Sequence, residues 1–277
     1  MKLYVFFTRA LPLSGLALVA ALGVAQAQRA AAPYEPSVGQ SGNDVVWVPT
    51  SQALVDRMLD TAKVTPNDYV IDLGSGDGRT VITAAKRGAR ALGIEFNPKM
   101  VELSRQNAAK EGVIGKATFV RGDIFKSDFS KATVLTLFLL PDINLRLRPK
   151  ILNMKPGTRV VSNSFDMGDW TPDEDINLSK DCDRFCTAHF WIVPAKVQGT
   201  WKLPDGELTL KQDFQMLSGT AKIGGTSTDI SNAKMTGDQI AFSVGDTRYT
   251  GRVAGKVMEG VSKSASGESK WRATRVK

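Results

Sequence analysis

Three glycines at alternate positions follow an acidic residue in the most informative stretch of the chain, which reads Val-Ile-Asp-Leu-Gly-Ser-Gly-Asp-Gly-Arg over residues 70–79. The apolar residues before the glycines suit a buried parallel strand. Gly74, Gly76 and Gly78 suit a turn that approaches a ligand closely or takes positive φ angles. The residues after the turn have a helical pattern, so free backbone N–H groups and a helix N-terminus are expected at the carboxyl end of a sheet. That arrangement binds nucleotide-like ligands.

The spacing of these glycines narrows the class of ligand. Dinucleotide-binding proteins usually carry Gly-x-Gly-x-x-Gly, whereas this chain has Gly-x-Gly-x-Gly preceded by Asp72. With Glu95 at the end of the next predicted strand and Asp123 after the third, the pattern resembles the seven-strand S-adenosylmethionine-dependent methyltransferases. The resemblance covers about residues 45–194. It implies an α/β fold with a doubly wound, mostly parallel sheet, and S-adenosylmethionine as the cofactor.

The resemblance also implies a role for each polar residue of the site. Asp72 would orient the glycine turn or meet the ammonium group of the cofactor, directly or through water. Glu95 would accept hydrogen bonds from both ribose hydroxyls, because an ionised carboxylate has two acceptor oxygens. Asp123 would accept from the adenine amine, with Ile124 or Phe125 against the ring. Taken alone, Asp72 and Asp123 could instead be loop caps or turn residues. The predicted cofactor-binding residues are Asp72, Gly74, Ser75, Gly76, Gly78, Glu95, Asp123 and Ile124.

Four segments together resemble a narrower family. They are Val48-Pro49-Thr50, Asp72 to Arg79, Glu95-Phe96-Asn97-Pro98 and Arg121-Gly122-Asp123. These resemble the small protein-lysine methyltransferases that include the enzyme modifying the mitochondrial ATP synthase c-subunit, and its bacterial relatives. The implied reaction is transfer of the sulfonium methyl group to a lysine amine of a protein, with a small-molecule acceptor left open. The amine must first lose its proton, which an apolar pocket or a nearby carboxylate favours.

No catalytic residue is assigned by the sequence. Residues 138–142, Phe-Leu-Leu-Pro-Asp, take the place where methyltransferases commonly put substrate-facing groups. They lack the Asn-Pro-Pro-Tyr or Asp-Pro-Pro-Tyr signature of amide-nitrogen and DNA base enzymes, which counts against DNA as substrate. Asp142 either assists deprotonation or caps a helix that starts at Ile143, and the cap is favoured. Residues 165–170 either line the same substrate entrance or form a loop without a role in binding, in which Trp170 is packed.

The N-terminus has the pattern of a secretory signal peptide. Lys2 and Arg9 make the first residues basic, Ala10 to Val24 is apolar, and Ala25-Gln26-Ala27 has the small residues of a cleavage site. We therefore expect cleavage after Ala27 and export to the periplasm. The protein would then contact the membrane only transiently, through the signal peptide. The alternative is a membrane anchor that is not cleaved. Residues 28–43, rich in Pro, Ala, Gly and Ser without apolar periodicity, are predicted to be a tether.

The composition and charge of the chain limit the kinds of partner that we expect it to bind. The chain has 277 residues, 42% hydrophobic and 23% charged, as in a globular protein. Its formal charge of +8, or +6 after loss of Lys2 and Arg9, is evenly spread, so nucleic acid is not expected as a partner. With one histidine, His189, and two cysteines, ligands for a zinc site are lacking, and no metal is expected. His189 lies in an apolar run, which predicts a histidine packed within a strand. Whether Cys182 and Cys186 form a disulfide stays open.

Strand and helix patterns alternate over residues 44–194, as in a parallel sheet with crossover helices. After Pro194, residues 195–277 contain about eight short strands and predict a small antiparallel barrel or sandwich. Gly199-Thr200-Trp201 and Arg272 faintly resemble the Gly-x-Trp and terminal Arg pairing of lipocalin-like barrels. This second domain keeps one alternative open, an exported non-catalytic protein that binds another ligand. The predicted elements before it are helix 51–62, strand 69–73, helix 80–87, strand 91–95, helix 98–111, strands 117–121 and 132–139, helix 143–153, and strands 159–164 and 188–193.

Overall fold

The structure is a computed structural model that describes residues 1–5, 34–42, 45–178, 180 and 182–276. The chain divides into two units, Met1–Pro33 and Tyr34–Lys277, and every assigned helix and strand lies in the second. The apolar run and cleavage site of the predicted signal peptide, and the first part of the predicted tether, lie outside the described residues. Among the helices that are described, none has the length and apolar character needed to cross a bilayer.

The first domain of the second unit is a seven-stranded sheet with four helices. Its elements are α1 (Gln52–Thr61), β1 (Tyr69–Leu73), α2 (Arg79–Lys86), β2 (Arg90–Glu95), α3 (Pro98–Lys110), β3 (Ala117–Arg121), β4 (Val134–Leu137), α4 (Pro141–Ile151), β5 (Arg159–Asn163), β6 (Glu174–Asn177) and β7 (Thr187–Ile192). The strand order is β3-β2-β1-β4-β5-β7-β6, and β1 to β5 run parallel while β7 is antiparallel to both of its neighbours. The predicted fold class, a doubly wound and mostly parallel sheet followed by an all-β domain, is confirmed.

Strand β1 lies at the centre of the sheet, between β2 and β4. Its residues Val70, Ile71 and Leu73 are at most 1% exposed, because both faces of a parallel sheet are covered by helices. Val70 belongs to a core with α1, α2 and α3, whereas Ile71 and Leu73 belong to a core with α4 on the other face. This packing brings the ends of β1, β2 and β4, with the loops that follow them, to one edge.

Two predictions for this domain need correction. Strand β6 was not expected, because its sequence Glu-Asp-Ile-Asn is short and polar and only Ile176 is buried. Helix α4 begins at Pro141 with Leu140 as its N-cap and no capping side chain, so the predicted cap by Asp142 is wrong. Asp142 lies in the first turn of α4, where a negative charge interacts favourably with the helix dipole.

The loop before β7 is closed by a disulfide. Cys182 and Cys186 are bonded, with their Cα atoms 5.6 Å apart. Further along, the predicted packed-strand histidine, His189, lies in β7 and is half-buried. Its Nδ1 atom is 2.6 Å from an Asp175 carboxylate oxygen on β6. This pair links the edge strand β6 to its neighbour β7 and lines neither cavity described below.

The second domain is a closed barrel of eight antiparallel strands. Each strand pairs with the next along the chain, and the last pairs with the first, so no strand edge is left open. Its core is filled by apolar side chains that include Trp201, Phe242 and Trp271. The strands are β8 (Gly199–Leu203), β9 (Gly206–Asp213), β10 (Met216–Ile223), β11 (Thr226–Thr236), β12 (Gln239–Val244), β13 (Thr247–Ala254), β14 (Val257–Ser264) and β15 (Gly267–Arg275).

An arginine near the chain end does stack on the buried tryptophan of β8, but it is not the one predicted. The guanidinium of Arg275 lies 4.4 Å from the centre of the Trp201 ring and donates to the carbonyl oxygen of Gln198. Arg272, the predicted partner, instead points to Glu259 on β14. Because side chains alternate along a strand, a shift of three residues places the arginine on the other face.

The barrel docks on the first domain through a buried hydrogen-bonded contact. The indole N–H of Trp170 donates to Gln215 Oε1 at 3.0 Å, and Gln215 Nε2 donates to the carbonyl of Thr171 at 2.7 Å. The ring of Phe214 stacks on Trp170 with centroids 6.0 Å apart. Trp170 and Gln215 are 0% and 4% exposed. Trp170 is therefore the packed tryptophan that the loop pattern allowed, and it fixes the loop between β5 and β6.

Substitution of Gln215 by alanine tests this contact. The variant leaves the buried indole N–H of Trp170 without a partner, so the free energy of unfolding should fall by about 1–3 kcal/mol. Gln239→Ala, at an exposed barrel position, is the matched control and should stay within about 0.5 kcal/mol of the parent. Urea unfolding followed by tryptophan fluorescence measures both. Equal losses in the two variants would contradict a stabilising role for the contact.

Candidate functional site

A cavity of about 310 Å³ opens at the carboxyl edge of the parallel strands. Its walls come from the glycine turn after β1, the end of β2, the loops after β3 and β4, and the segment before α1. This is the edge where open α/β sheets bind their ligands. Seven of the eight predicted cofactor-binding residues line it, and only Gly78 does not. The seven are Asp72, Gly74, Ser75, Gly76, Glu95, Asp123 and Ile124.

The glycine turn has the left-handed backbone that its sequence predicts. The φ angles of Gly74 and Gly76 are +75° and +52°, which other residues adopt at a cost. A Cβ atom on Gly76 would lie 2.8 Å from Nε1 of Trp47. The turn is anchored to the neighbouring strand, since the amide of Gly74 donates to the carbonyl of Ile94 at 2.8 Å. The glycines thus let backbone and indole approach each other across the cavity.

Gly78 has a packing role in this structure. It is the N-cap residue of α2, with φ of +85°. A Cβ atom there would lie 2.8 Å from the ring of Phe119 and 2.9 Å from the Cβ of Ser104. The third glycine of the motif therefore allows close packing of α2 against β3 and α3, rather than contact with the cavity.

Glu95 and Asp123 present their carboxylates at two neighbouring strand ends. Glu95 Oε2 accepts from the amide of Gly76 at 3.0 Å, and its Oε1 accepts from the amide of Asn97 at 2.9 Å. Asp123 Oδ1 accepts from the amide of Phe125 at 2.9 Å. Each of these oxygens keeps a further lone pair. Both side chains line the cavity, so they can accept from hydroxyl or amine donors of a ligand while they hold their loops.

Asp72 is the most perturbed acid of the site. It is 7% exposed at the centre of the sheet edge, and the hydroxyl of Thr136 on β4 donates to its Oδ1 at 2.6 Å. Burial raises the pKa of Asp72 to about 7, and the negative charges of Glu95 and Asp77 add to the rise, while the Thr136 hydroxyl opposes it. Perturbed acids of this kind cluster at functional sites. A cationic group in the cavity would favour the ionised form.

The segment before α1 forms a cover over the cavity. The amide of Trp47 donates to the carbonyl of Gln40, and the amide of Gly39 donates to the carbonyl of Trp47, each at 2.9 Å. Residues 39–42 are thus part of a hairpin with residues 45–47, although the prediction assigned them to the tether. The segment is fixed further along, where Arg79 donates to the carbonyl of Thr50 at 2.6 Å. Trp47 was missed by sequence reasoning, and the adjoining Val48-Pro49-Thr50 was its only signal.

A second cavity, of about 370 Å³, adjoins the first on the β4 side. The two share residues of the hairpin and of the loop after β4, including Val48, Phe138 and Leu139. The outer end is lined by Phe165, as one alternative for its loop allowed, and by Phe185, which sequence reasoning missed. Asp142, the one acid weighed for deprotonation, lines neither cavity.

The residues present fit S-adenosylmethionine. A left-handed glycine turn leaves room for a chain to pass, the buried Asp72 suits an ammonium group, and two strand-end carboxylates suit ribose hydroxyls and an adenine amine. Ile124 and Phe125 provide an apolar surface beside Asp123. The donor and acceptor set is therefore the one that the sequence pattern predicted for this cofactor, although the individual contacts stay predictions.

Comparison with known proteins agrees with this interpretation of the site. Residues 72–174 match a family model described as the ANTKMT methyltransferase domain. The chain is 43% identical over 152 residues to a protein-lysine N-methyltransferase from Saccharolobus islandicus, covering 54% of this chain and 94% of that protein. It is 42% identical over 128 residues to the lysine N-methyltransferase of the ATP synthase c-subunit in Homo sapiens, covering 46% of this chain and 54% of that protein.

A solved structure extends the comparison to three dimensions. It is an RNA methyltransferase from Salinibacter ruber in complex with S-adenosyl-L-homocysteine, with a TM-score of 0.51 and 46% identity. The match covers 54% of this chain and 96% of that one. Each of these matches leaves close to half of the present chain uncovered. Because the match covers 94% of the Saccharolobus protein at 43% identity, the chain belongs to the family of S-adenosylmethionine-dependent protein-lysine N-methyltransferases.

Proposed function

We propose that this enzyme transfers a methyl group to the ε-amine of a lysine in a protein. The observation that carries the proposal is the continuity of the two cavities, one with acceptors for a nucleoside and an ammonium group, the other uncharged and aromatic. S-adenosylmethionine supplies a methyl group that is already activated on a sulfonium. The lysine nitrogen would form the new bond to the methyl carbon, and the electron pair of the broken carbon–sulfur bond would stay on sulfur.

The residues of the first cavity would hold the cofactor by its charged and polar ends. Glu95 would accept from the ribose hydroxyls, and Asp123 would accept from the adenine amine beside Ile124. Asp72 would pair with the ammonium group near the glycine turn. Trp47 would cover this part of the cavity and exclude water, because its indole faces the backbone of Gly76.

The second cavity favours a lysine amine as the acceptor. A lysine is protonated at neutral pH and reacts only after it loses a proton to solvent. The loop after β4, with Phe138 and Leu139, gives this cavity an apolar wall, and an apolar surrounding lowers the pKa of an amine. Arginine stays charged under these conditions, so the same wall would exclude it. Two relatives named as lysine N-methyltransferases support the choice.

A labelling experiment decides between protein and RNA as the acceptor. Purified protein is incubated with methyl-labelled S-adenosylmethionine and, separately, protein extract, the same extract after chemical acetylation of its lysines, and total RNA. We expect label in the untreated extract, loss of that label after acetylation, and methyl-lysine in peptide mass spectra. The Salinibacter relative is named as an RNA methyltransferase; label in RNA but not in protein would overturn the proposal.

We also infer that the protein is exported and cleaved after Ala27. The basic start, the apolar run and the Ala25-Gln26-Ala27 site support export. The bond between Cys182 and Cys186 supports an oxidising compartment, because disulfides persist there and are rare in the cytosol. N-terminal sequencing of the protein recovered from the periplasmic fraction should begin at Gln28. Recovery from the cytosolic fraction with residues 1–27 retained would contradict this inference.

Removal of the Trp47 ring should weaken cofactor binding. Trp47→Ala takes away the indole that covers the glycine turn, so the Kd for S-adenosylhomocysteine should rise about tenfold or more, equivalent to about 1.4 kcal/mol. Trp47→Phe keeps an aromatic ring and should recover part of the affinity. Isothermal titration measures all three proteins. An unchanged Kd for the alanine variant would show that the hairpin does not cover the bound cofactor.

The affinity for the cofactor should depend on pH through Asp72. With its pKa raised to about 7, this carboxyl holds a proton below neutrality that pairing with an ammonium group must release. The Kd for S-adenosylhomocysteine should therefore fall as pH rises from 6 to 8, by at most about tenfold per pH unit. Asp72→Asn should bind more weakly at pH 8 and lose most of this slope. A parent slope that persists in the variant would assign the titration to another group.

A further inference from the structure

Three phenylalanines meet at the outer end of the second cavity. Phe138 lies 5.2 Å from Phe185 and 6.1 Å from Phe165, measured between ring centroids, and Phe165 lies 6.3 Å from Phe185. They come from three loops, after β4, after β5 and before β7. Phe185 is 40% exposed and the adjacent Leu140 is 41% exposed. We call Phe138, Phe165 and Phe185 the aromatic rim.

The aromatic rim continues directly from the cofactor cavity. Seven of the ten residues that line the second cavity also line the first, and only Leu140, Phe165 and Phe185 are its own. None of the ten is charged. A side chain entering from solvent would therefore pass the rim, lose its water, and arrive at the wall shared with the cofactor site. This continuity singles out a long, mainly apolar side chain with one reactive end.

Hydrogen bonds from α4 and a disulfide loop hold the aromatic rim in place. Asn144, buried in α4, donates to the carbonyls of Phe165 and Asp166 at 3.2 and 3.0 Å. Phe185 has a φ angle of +55°, which is unusual for a bulky residue and persists only where the surroundings impose it. It lies inside the five-residue loop closed by the Cys182–Cys186 bond. The disulfide thus limits the positions that the Phe185 ring can take.

We propose that the aromatic rim is the entry for the acceptor lysine, and that the Cys182–Cys186 disulfide positions Phe185 as a specificity-determining residue. This inference rests on the proposed function. The rings would pack on the four methylenes of lysine and remove their apolar surface from water. Ring faces also attract ammonium and methylated ammonium groups. The rim would accordingly accept lysine and its methylated forms and disfavour short acidic or amide side chains.

The test measures binding, so it does not depend on knowing the natural acceptor. The probe is Nα-acetyl-lysine methylamide, added to the full chain saturated with S-adenosylhomocysteine and followed by NMR. Phe185→Ala should raise the Kd of the probe about fivefold or more while the affinity for S-adenosylhomocysteine stays unchanged. Phe185→Leu should recover part of the loss. Ile114→Ala, at an exposed apolar position outside both cavities, should bind the probe like the parent.

The disulfide is tested by Cys182→Ser with Cys186→Ser. This double variant should weaken probe binding in the same direction as Phe185→Ala, with cofactor affinity again unchanged. Parent-like probe binding in both variants would overturn the inference, and so would absence of probe binding by the parent when S-adenosylhomocysteine binds normally. Failure of the parent to bind S-adenosylhomocysteine would instead contradict the proposed function.

Discussion

The carboxylate of Glu95 links the two loops on which the cofactor cavity depends. One oxygen accepts from the amide of Gly76 in the glycine turn, and the other accepts from the amide of Asn97 at the start of α3. Hydrogen bonds to an ionised carboxylate are stronger than neutral ones, so the turn and the helix start are held as one unit. Gly76 has a left-handed backbone in this unit, and its lack of a Cβ atom leaves space for Trp47 of the hairpin.

The same contacts extend from the cofactor cavity to the acceptor side and then to the barrel. A Cβ atom on Gly74 would lie 3.1 Å from the side chain of Leu139, so the glycine turn packs against the loop that carries Phe138. The neighbouring loop between β5 and β6 contains Phe165 at one end and Trp170 at the other. Gln215 of the barrel fixes Trp170. The barrel therefore contributes, through this loop, to the position of a residue that lines the acceptor side.

The sequence predicted the parts of the structure that local chemistry determines. The bounds of β1 agreed, because Val70, Ile71 and Leu73 are apolar between clear turn signals. The cavity-lining acids at the ends of the parallel strands were found because that topology brings them together. Gly78 was predicted at the ligand because its spacing cannot distinguish ligand contact from helix packing.

Other features depend on contacts distant in sequence. Trp47 and Phe185 reach the cavities through a hairpin and a disulfide loop, and no local periodicity marks either of them. Strand β6 is stabilised by pairing with β7 rather than by its own propensity. The stacking of Arg275 on Trp201 depends on the register of β15, which a short run of alternating residues does not define.

Isothermal titration of the full chain with S-adenosylmethionine shows whether the glycine turn and the hairpin form a site for that compound. Gly112→Ala is the matched control for Gly76→Ala, because both glycines have similar positive φ angles. A Cβ atom on Gly76 meets the indole of Trp47, whereas one on Gly112 meets nothing within 4 Å. We expect saturable one-to-one binding that Gly76→Ala weakens about tenfold or more and Gly112→Ala leaves unchanged. No heat of binding from well-folded protein, or equal affinity in the two variants, would contradict it.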